Sequence, residues 1–320
     1  MATDLHRVTY GPPTGQATGV LLLLLTVSIW GTQFPIAKAT FEHVSAFHTA
    51  AFRYSVGVAI LVVMLMLREG IRVFRFDRQG VEAATIGLIG MFGSPALVFF
   101  GLTHTRPEIV ALIVAVQPAM TAVADWLFRG RRPSWISLLC IIVAFLGVVI
   151  AVTRLSPGFG QGGGESLGNL LAVAGCACWV YYTMMNERFR NWSVLRLTTL
   201  TMLAGTSGHI LLVTILTLTG ALVTPPLQDW LHVRYELLFL SIAGVVVAMT
   251  CWNAGTQRIG PINAMLFVNL VPIITFAMRY LQGYRFHPLE LLGAAMVIVA
   301  LFANNLALRA EMNNKRHANS

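Results

Sequence analysis

Ten stretches of this chain each run for about twenty mainly apolar residues, the length a helix needs to cross the hydrocarbon of a bilayer. They lie at Gly19–Lys38, Ala46–Leu67, Val81–Leu102, Glu108–Phe128, Ser134–Val152, Leu167–Asn186, Leu197–Ala221, Glu236–Thr256, Ile262–Gly283 and Leu289–Leu308. No soluble core of a 320-residue chain has room for so many apolar runs. Charged residues make up only 11%, against roughly 25% in ordinary globular domains. The mean hydropathy is +0.72. These features exclude a disordered tail, a secreted disulfide scaffold and a nucleic-acid binder. The net charge of +9 falls in short basic clusters between the apolar runs, which suits loops at an anionic membrane surface. The expected fold class is an all-α integral membrane protein of ten transmembrane helices, with the lipid bilayer as its surroundings.

The first run has some look of a signal peptide, with Arg7 before it and Ala37-Lys38-Ala39 at its end. Its apolar stretch continues to Ile36, however, and two equal sets of five spans exist only if it is kept. Orientation follows from the basic residues. With the N-terminus inside, the inner segments hold Arg7, Arg68, Arg72, Arg75, Arg78, Arg129, Arg131, Arg132, Arg188, Arg190, Arg196, Arg258, Arg309, Lys315 and Arg316. The outer loops hold Lys38, Arg106, Arg154, Arg234 and Arg285. Both termini are therefore expected in the cytoplasm.

The two halves resemble each other. Gly101–Thr121, GLTHTRPEIVALIVAVQPAMT, aligns without a gap to Gly255–Thr275, GTQRIGPINAMLFVNLVPIIT. Pro107 and Pro118 match Pro261 and Pro272, and Trp30 in the first span has its counterpart in Trp179 of the sixth. Five spans per repeat is an odd number, so the second copy crosses in the opposite sense, as in transporters built around a central site. The expected organisation is a cytoplasmic tail over 1–18, a first repeat over 19–152, a Gly-rich linker over 153–166, a second repeat over 167–308 and a cytoplasmic tail over 309–320. Pro118 and Pro272 each remove a backbone donor, which marks helix kinks that either line a water-filled pathway or serve packing alone.

Polar groups inside spans are costly and worth weighing singly. Trp30, Gln117, Trp179, Trp252 and Asn269 are candidate substrate contacts, because an indole or amide in hydrocarbon needs a partner in the bundle interior. Arg53 either binds a substrate anion bidentately or holds free carbonyls. Asp125 and Arg279 occupy equivalent repeat positions near opposite faces, as gate residues or as ordinary interfacial charges. Asp125 and Glu187 are the only carboxylates well placed near span interiors, both toward the cytoplasmic end, and neither is central, which leaves coupling open; His209 is either a proton carrier or a structural imidazole. The four cysteines and eight histidines have no ligand spacing, so no metal, disulfide or cofactor is expected.

The WGTQFPIAK stretch (Trp30–Lys38), the Phe52-Arg53-Tyr54 step and the doubled mid-helix prolines, each followed by a Gly, resemble the EamA branch of the drug/metabolite transporter superfamily. The likeness runs from about residue 19 to 308. The family's frequent Gly-Glu at the ends of the fourth and ninth spans is replaced here, with Arg131 and Tyr284 at the Glu positions. What the resemblance implies is a permease of a bacterial inner membrane. It would move a small polar or amino-acid-like metabolite by alternating access, with export the more frequent direction. The competing classes are a membrane-embedded sensor or assembly subunit and, further off, a membrane-embedded enzyme. No H-E-x-x-H or G-x-S-x-G motif supports an enzyme. Oligomeric state, coupling and the identity of the solute are not set by these residues.

The topology carries its own test. A cysteine at Arg72→Cys should react only with permeant reagents in intact cells, and one at Arg234→Cys with impermeant reagents. The reverse pattern would overturn the assigned orientation.

Overall fold

The computed structural model describes residues 13–74, 78–130, 132, 134–154 and 163–318. Most of the N-terminal tail (1–12), Arg75, Arg131 and the body of the Gly-rich linker (155–162) lie outside the described residues. Among the described residues nine helices are long and apolar enough to cross a membrane. They are α1 (Gly15–Thr40), α2 (Ala46–Glu69), α3 (Arg78–His104), α4 (Pro107–Phe128), α5 (Trp135–Thr153), α6 (Gly164–Phe189), α7 (Val194–Leu218), α8 (Arg234–Ile259) and α9 (Asn263–Leu281). The tenth run forms α10 (Pro288–Ala318), whose apolar part, Pro288–Asn304, is the shortest of the set. The segment after α7, read from sequence as a loop, contains the short helix Leu227–His232.

Lipid tails are as apolar as leucine, so these helices associate through close packing rather than escape from water. Small residues set the closest crossings. A methyl group added at Gly101 of α3 would stand 2.5 Å from the Gly168 carbonyl oxygen of α6, and one added at Gly255 of α8 would stand 2.6 Å from Leu23 and 3.1 Å from the Gly19 carbonyl of α1. Gly147 of α5 faces the Gly293 carbonyl of α10 at 2.7 Å in the same sense. The packing maps onto itself when the halves are exchanged. α1 packs on α8 as α6 packs on α3, α2 packs on α8 as α7 packs on α3, and α2–α7 and α5–α10 are self-paired. Large apolar side chains such as Leu67, Trp135, Phe145, Leu170 and Leu211 are left on the outside, as a lipid-facing surface requires.

Four prolines interrupt the spans, and two have visible remedies. Pro35 has no N–H to give the Gly31 carbonyl four residues earlier, and Thr275 Oγ1 of α9 donates to that carbonyl at 2.7 Å. Pro95 likewise frees the Met91 carbonyl, and His209 Nε2 of α7 lies 3.1 Å from it. A carbonyl can only accept, so Nε2 carries the proton. Ahead of the other two prolines, Pro118 and Pro272, the helices are irregular. α4 breaks at Val116, just before Gln117-Pro118. α9 tightens to a 3-10 turn over Leu266–Asn269, ahead of Pro272, because the disturbance falls on the turn whose hydrogen bond the proline removes. α3 and α8 each contain a π-helical stretch, Leu88–Gly93 and Phe239–Val247, at equivalent repeat positions. Such bulges often mark functional positions within a helix.

Gly101→Ala and Gly255→Ala should each lower the thermal unfolding midpoint of purified protein, since overpacking costs about 1–3 kcal/mol. Gly93→Ala, whose added methyl would meet nothing nearer than 3.5 Å, should leave it almost unchanged. Equal tolerance of all three would refute the close-crossing account.

Candidate functional site

A small cavity of about 70 Å³ lies between α1, α2, α3, α4, α6 and α8. α1 contributes Trp30, Gln33 and Phe34; α2 contributes Arg53 and Tyr54; α4 contributes Val114 and Gln117. Ser94, Pro95, Val98 and Phe99 come from α3, Trp179 from α6 and Met249 from α8. Trp30, Arg53, Gln117 and Trp179 thus meet around one space. α9 supplies no lining residue and α2 does, so the wall includes a helix that the mid-helix prolines do not mark.

Two expected contacts stand outside the wall. Trp252 is fully buried and backs the cavity as the third member of an indole cluster. Its ring centroid is 5.1 Å from Trp30 and 5.8 Å from Trp179, and Trp30 meets Trp179 edge-on at 5.2 Å, a favoured geometry for aromatic pairs. Asn269 is buried, and neither polar atom of its side-chain amide has a hydrogen-bond partner. It lies on the 3-10 turn of α9, off the cavity.

The two repeats furnish the site unequally. Close crossings place Gly57 of α2 against Val245 of α8 and Gly205 of α7 against Met91 of α3, which makes Arg53 and Thr201 equivalent positions. Gly90 lies against Tyr182 and Gly244 faces Gln33 at 3.5 Å, which pairs Gln33 with Tyr182. In the first repeat Arg53 Nη1 donates to Gln33 Oε1 at 3.3 Å, with the guanidinium 4.6 Å over Phe99 and 5.2 Å over Tyr54. In the second, a neutral network takes the same place. Asn253 Nδ2 donates to Thr198 Oγ1 at 2.8 Å and to Tyr182 Oη at 3.1 Å, and Asn186 Nδ2 donates to Asn253 Oδ1 at 3.2 Å.

Charge gathers at the Lys38 end of the bundle. Glu108 and Glu290 are both fully buried there. Arg279 Nε approaches Glu108 at 3.4 Å and Arg106 approaches it at 3.8 Å. Arg154 Nη2 meets Glu290 at 2.7 Å, and Arg106 is bonded to the same carboxylate. Tyr284 Oη accepts from Arg106 at 3.2 Å and Arg154 at 3.1 Å. Glu290 also accepts the His287 N–H at 2.7 Å, the reciprocal half of a helix capping box. Lys38 Nζ completes this end by donating to the Leu102, Thr103 and Thr105 carbonyls at 2.7, 2.9 and 3.1 Å. These carbonyls lie at the C-terminus of α3, where a cation is favoured.

This cluster corrects the view that Asp125 and Glu187 are the carboxylates best placed within the spans. Glu108 and Glu290 look interfacial in sequence because they open their helices, yet arginines from neighbouring helix ends fold over both. Beside Tyr284, a position where the resembled family often has Glu, the carboxylate comes from α10 instead. Arg279 does belong to an end-closing contact. Asp125 is buried toward the opposite end. Glu187, at that end too, pairs with Arg190 at 3.4 Å. His209 is not placed as a free proton carrier. It stacks on Tyr54 at 4.8 Å and serves the carbonyl freed by Pro95. Among the described residues no group of His, Cys, Asp and Glu could hold a metal ion.

Comparison with known proteins gives one coherent picture. Residues 17–153 and 166–306 each match the model of the EamA-like transporter family. The chain is 30% identical over 297 residues to the uncharacterized transporter YrdR of Bacillus subtilis (strain 168), covering 92% of each. It is 29% identical to a second uncharacterized transporter of that organism, YyaM, over 93% of this chain and 97% of the relative. At 23% identity it aligns with 91% of its length to 95% of a protein of Escherichia coli (strain K12) named "Probable amino-acid metabolite efflux pump". A solved crystal structure superposes with a TM-score of 0.67 at 19% identity, over 92% of this chain and 99% of its own, which speaks to the fold.

The ionic cluster is open to direct test. Glu290→Gln preserves shape but leaves two arginines short of a charge, and should cost about 3–5 kcal/mol of stability. Glu82→Gln, which breaks the solvent-exposed pair with Arg188, should cost less than about 1 kcal/mol. Thermal unfolding of the purified variants distinguishes the two, and equal losses would refute the cluster's role.

Proposed function

The chain belongs to the EamA-like transporter family, and from that premise we propose that it is a secondary carrier working by alternating access. Its solute is a small polar or amino-acid-like metabolite, moved outward across a bacterial cytoplasmic membrane. The two repeats, 19–152 and 167–308, rock against each other around the cavity, with both termini in the cytoplasm. The observation that carries this reading is a cavity walled by helices of both repeats, within a packing arrangement that maps onto itself when the halves are exchanged. A site so placed can be approached from either end by equivalent movements of equivalent helices.

The ends differ in what must part. Toward the Lys38 end, the outer face in the proposed orientation, opening means separating the arginines from Glu108 and Glu290. Toward the other it means separating Asn186, Asn253, Thr198 and Tyr182. In the export direction the solute loads from the cytoplasmic end. The relative named as an efflux pump is consistent with that direction.

Counterflow of radiolabelled amino acids and related metabolites in proteoliposomes tests the proposal. Gln117→Ala and Trp179→Ala should weaken solute affinity several-fold to ~100-fold, the effect of about 1–3 kcal/mol of lost contact, while leaving folding intact. Absence of counterflow across a broad panel with well-folded protein would defeat the carrier reading.

A further inference from the structure

Among the described residues Arg53 is the one cation on the cavity wall, and its partners are few for its charge. Only 2% of the side chain is exposed. A guanidinium carries five N–H donors. Here one reaches Gln33 Oε1 at 3.3 Å, the Tyr54 hydroxyl is a second side-chain partner, and Nε has no acceptor. Among the described residues no carboxylate lies within ion-pair distance of it. The faces of Phe99 and Tyr54 offset part of the desolvation, but a ring face accepts no directed hydrogen bond of ordinary strength. Trp30, on the same wall, also has a buried indole N–H with no acceptor.

The repeat supplies an internal control. Packing at the position equivalent to Arg53 is accomplished by Thr201, which bonds within its own helix to the Leu197 carbonyl at 2.8 Å. A buried cation is therefore no requirement of this helix crossing. A charge that the fold does not need and does not neutralise is explained by a ligand that neutralises it.

We propose that Arg53, seated on Gln33, is a carboxylate-binding subsite, and that the transported solute is an organic monocarboxylate with an apolar or aromatic body. The body lies against Trp30, Phe34, Phe99 and Trp179, and the carboxylate takes the donors that now lack acceptors. Among the described residues no carboxylate side chain lines the cavity, so none there demands an ammonium group on the solute. The amino group of an amino acid is tolerated and dispensable; the carboxylate is not. This inference rests on the carrier reading for its physiological meaning, but binding tests it independently of transport.

The experiment uses the full-length purified protein and four matched probes: phenylalanine, 3-phenylpropionate, phenethylamine and 2-phenylethanol. The two carboxylates should raise the thermal unfolding midpoint saturably, and the amine and the alcohol should not at the same concentrations. Arg53→Gln should weaken carboxylate binding at least tenfold, and Arg53→Lys less, because lysine keeps the charge without the planar fork. Should the Arg53 variants fail to fold, Gln33→Leu should still weaken carboxylate binding several-fold by loosening the guanidinium. Equal stabilisation by the amine or alcohol, no response to either carboxylate, or undiminished binding by the folded variants would each overturn the subsite. Carboxylate binding without counterflow would defeat the carrier reading alone, whereas counterflow of amine and carboxylate alike would defeat the subsite alone.

Discussion

In hydrocarbon a backbone carbonyl without a donor is expensive, and this bundle is arranged around several that its own prolines and helix ends create. Thr275 reaches across from α9 to the carbonyl freed by Pro35. His209 reaches from α7 to the one freed by Pro95, and Lys38 closes three carbonyls at the end of α3. Each remedy ties two helices that are distant in the chain. The irregular backbone that makes room for a cavity is thus also what holds its walls in register.

The glycine crossings impose the second condition. Helices that touch through Gly101, Gly255, Gly147 and Gly293 approach closely enough for small displacements to be felt along the whole contact, since interiors pack densely. Over that shared frame the halves have diverged. The Lys38 end carries buried ion pairs on Glu108 and Glu290, and toward the other end lies a network of amides and hydroxyls. The position that carries a charge in the first repeat carries a threonine in the second. The frame is common to both repeats, and the side chains built on it give each repeat its own chemistry.

Much of this was legible in the residues. Unbroken apolar runs announce helices because lipid offers the backbone no alternative partner. The doubled Pro spacing and the Trp30–Trp179 match announce the repeat. Gln117, Trp30, Trp179 and Arg53 were visible as polar or amphipathic groups too deep in their spans to face lipid. Glu108 and Glu290 were not, since each begins a helix, where a carboxylate ordinarily stays in water beside the helix dipole. A signal did exist in the number of arginines at that same end, Arg106, Arg154 and Arg279. Their convergence on two carboxylates depends on how six helix ends meet. Trp252 and Asn269 had the same standing in sequence as Trp30, and only the rotation of their helices puts one behind the indole cluster and the other off the cavity.

What the sequence determined by itself is therefore the class of solution: membrane helices, two copies of a five-helix unit, kinks near fixed prolines and a family to which those features belong. These follow from local properties, namely hydropathy over twenty residues, a missing N–H and self-similarity. The tertiary structure decided which polar groups share a space. It gathered Arg53, Gln33 and Trp30 on one wall, assigned His209 to a carbonyl, and closed the Lys38 end with buried ion pairs. Such outcomes depend on helix rotation and crossing distance to within an ångström or two. Composition and periodicity do not encode those quantities, because every face of a membrane helix can be apolar and still point inward.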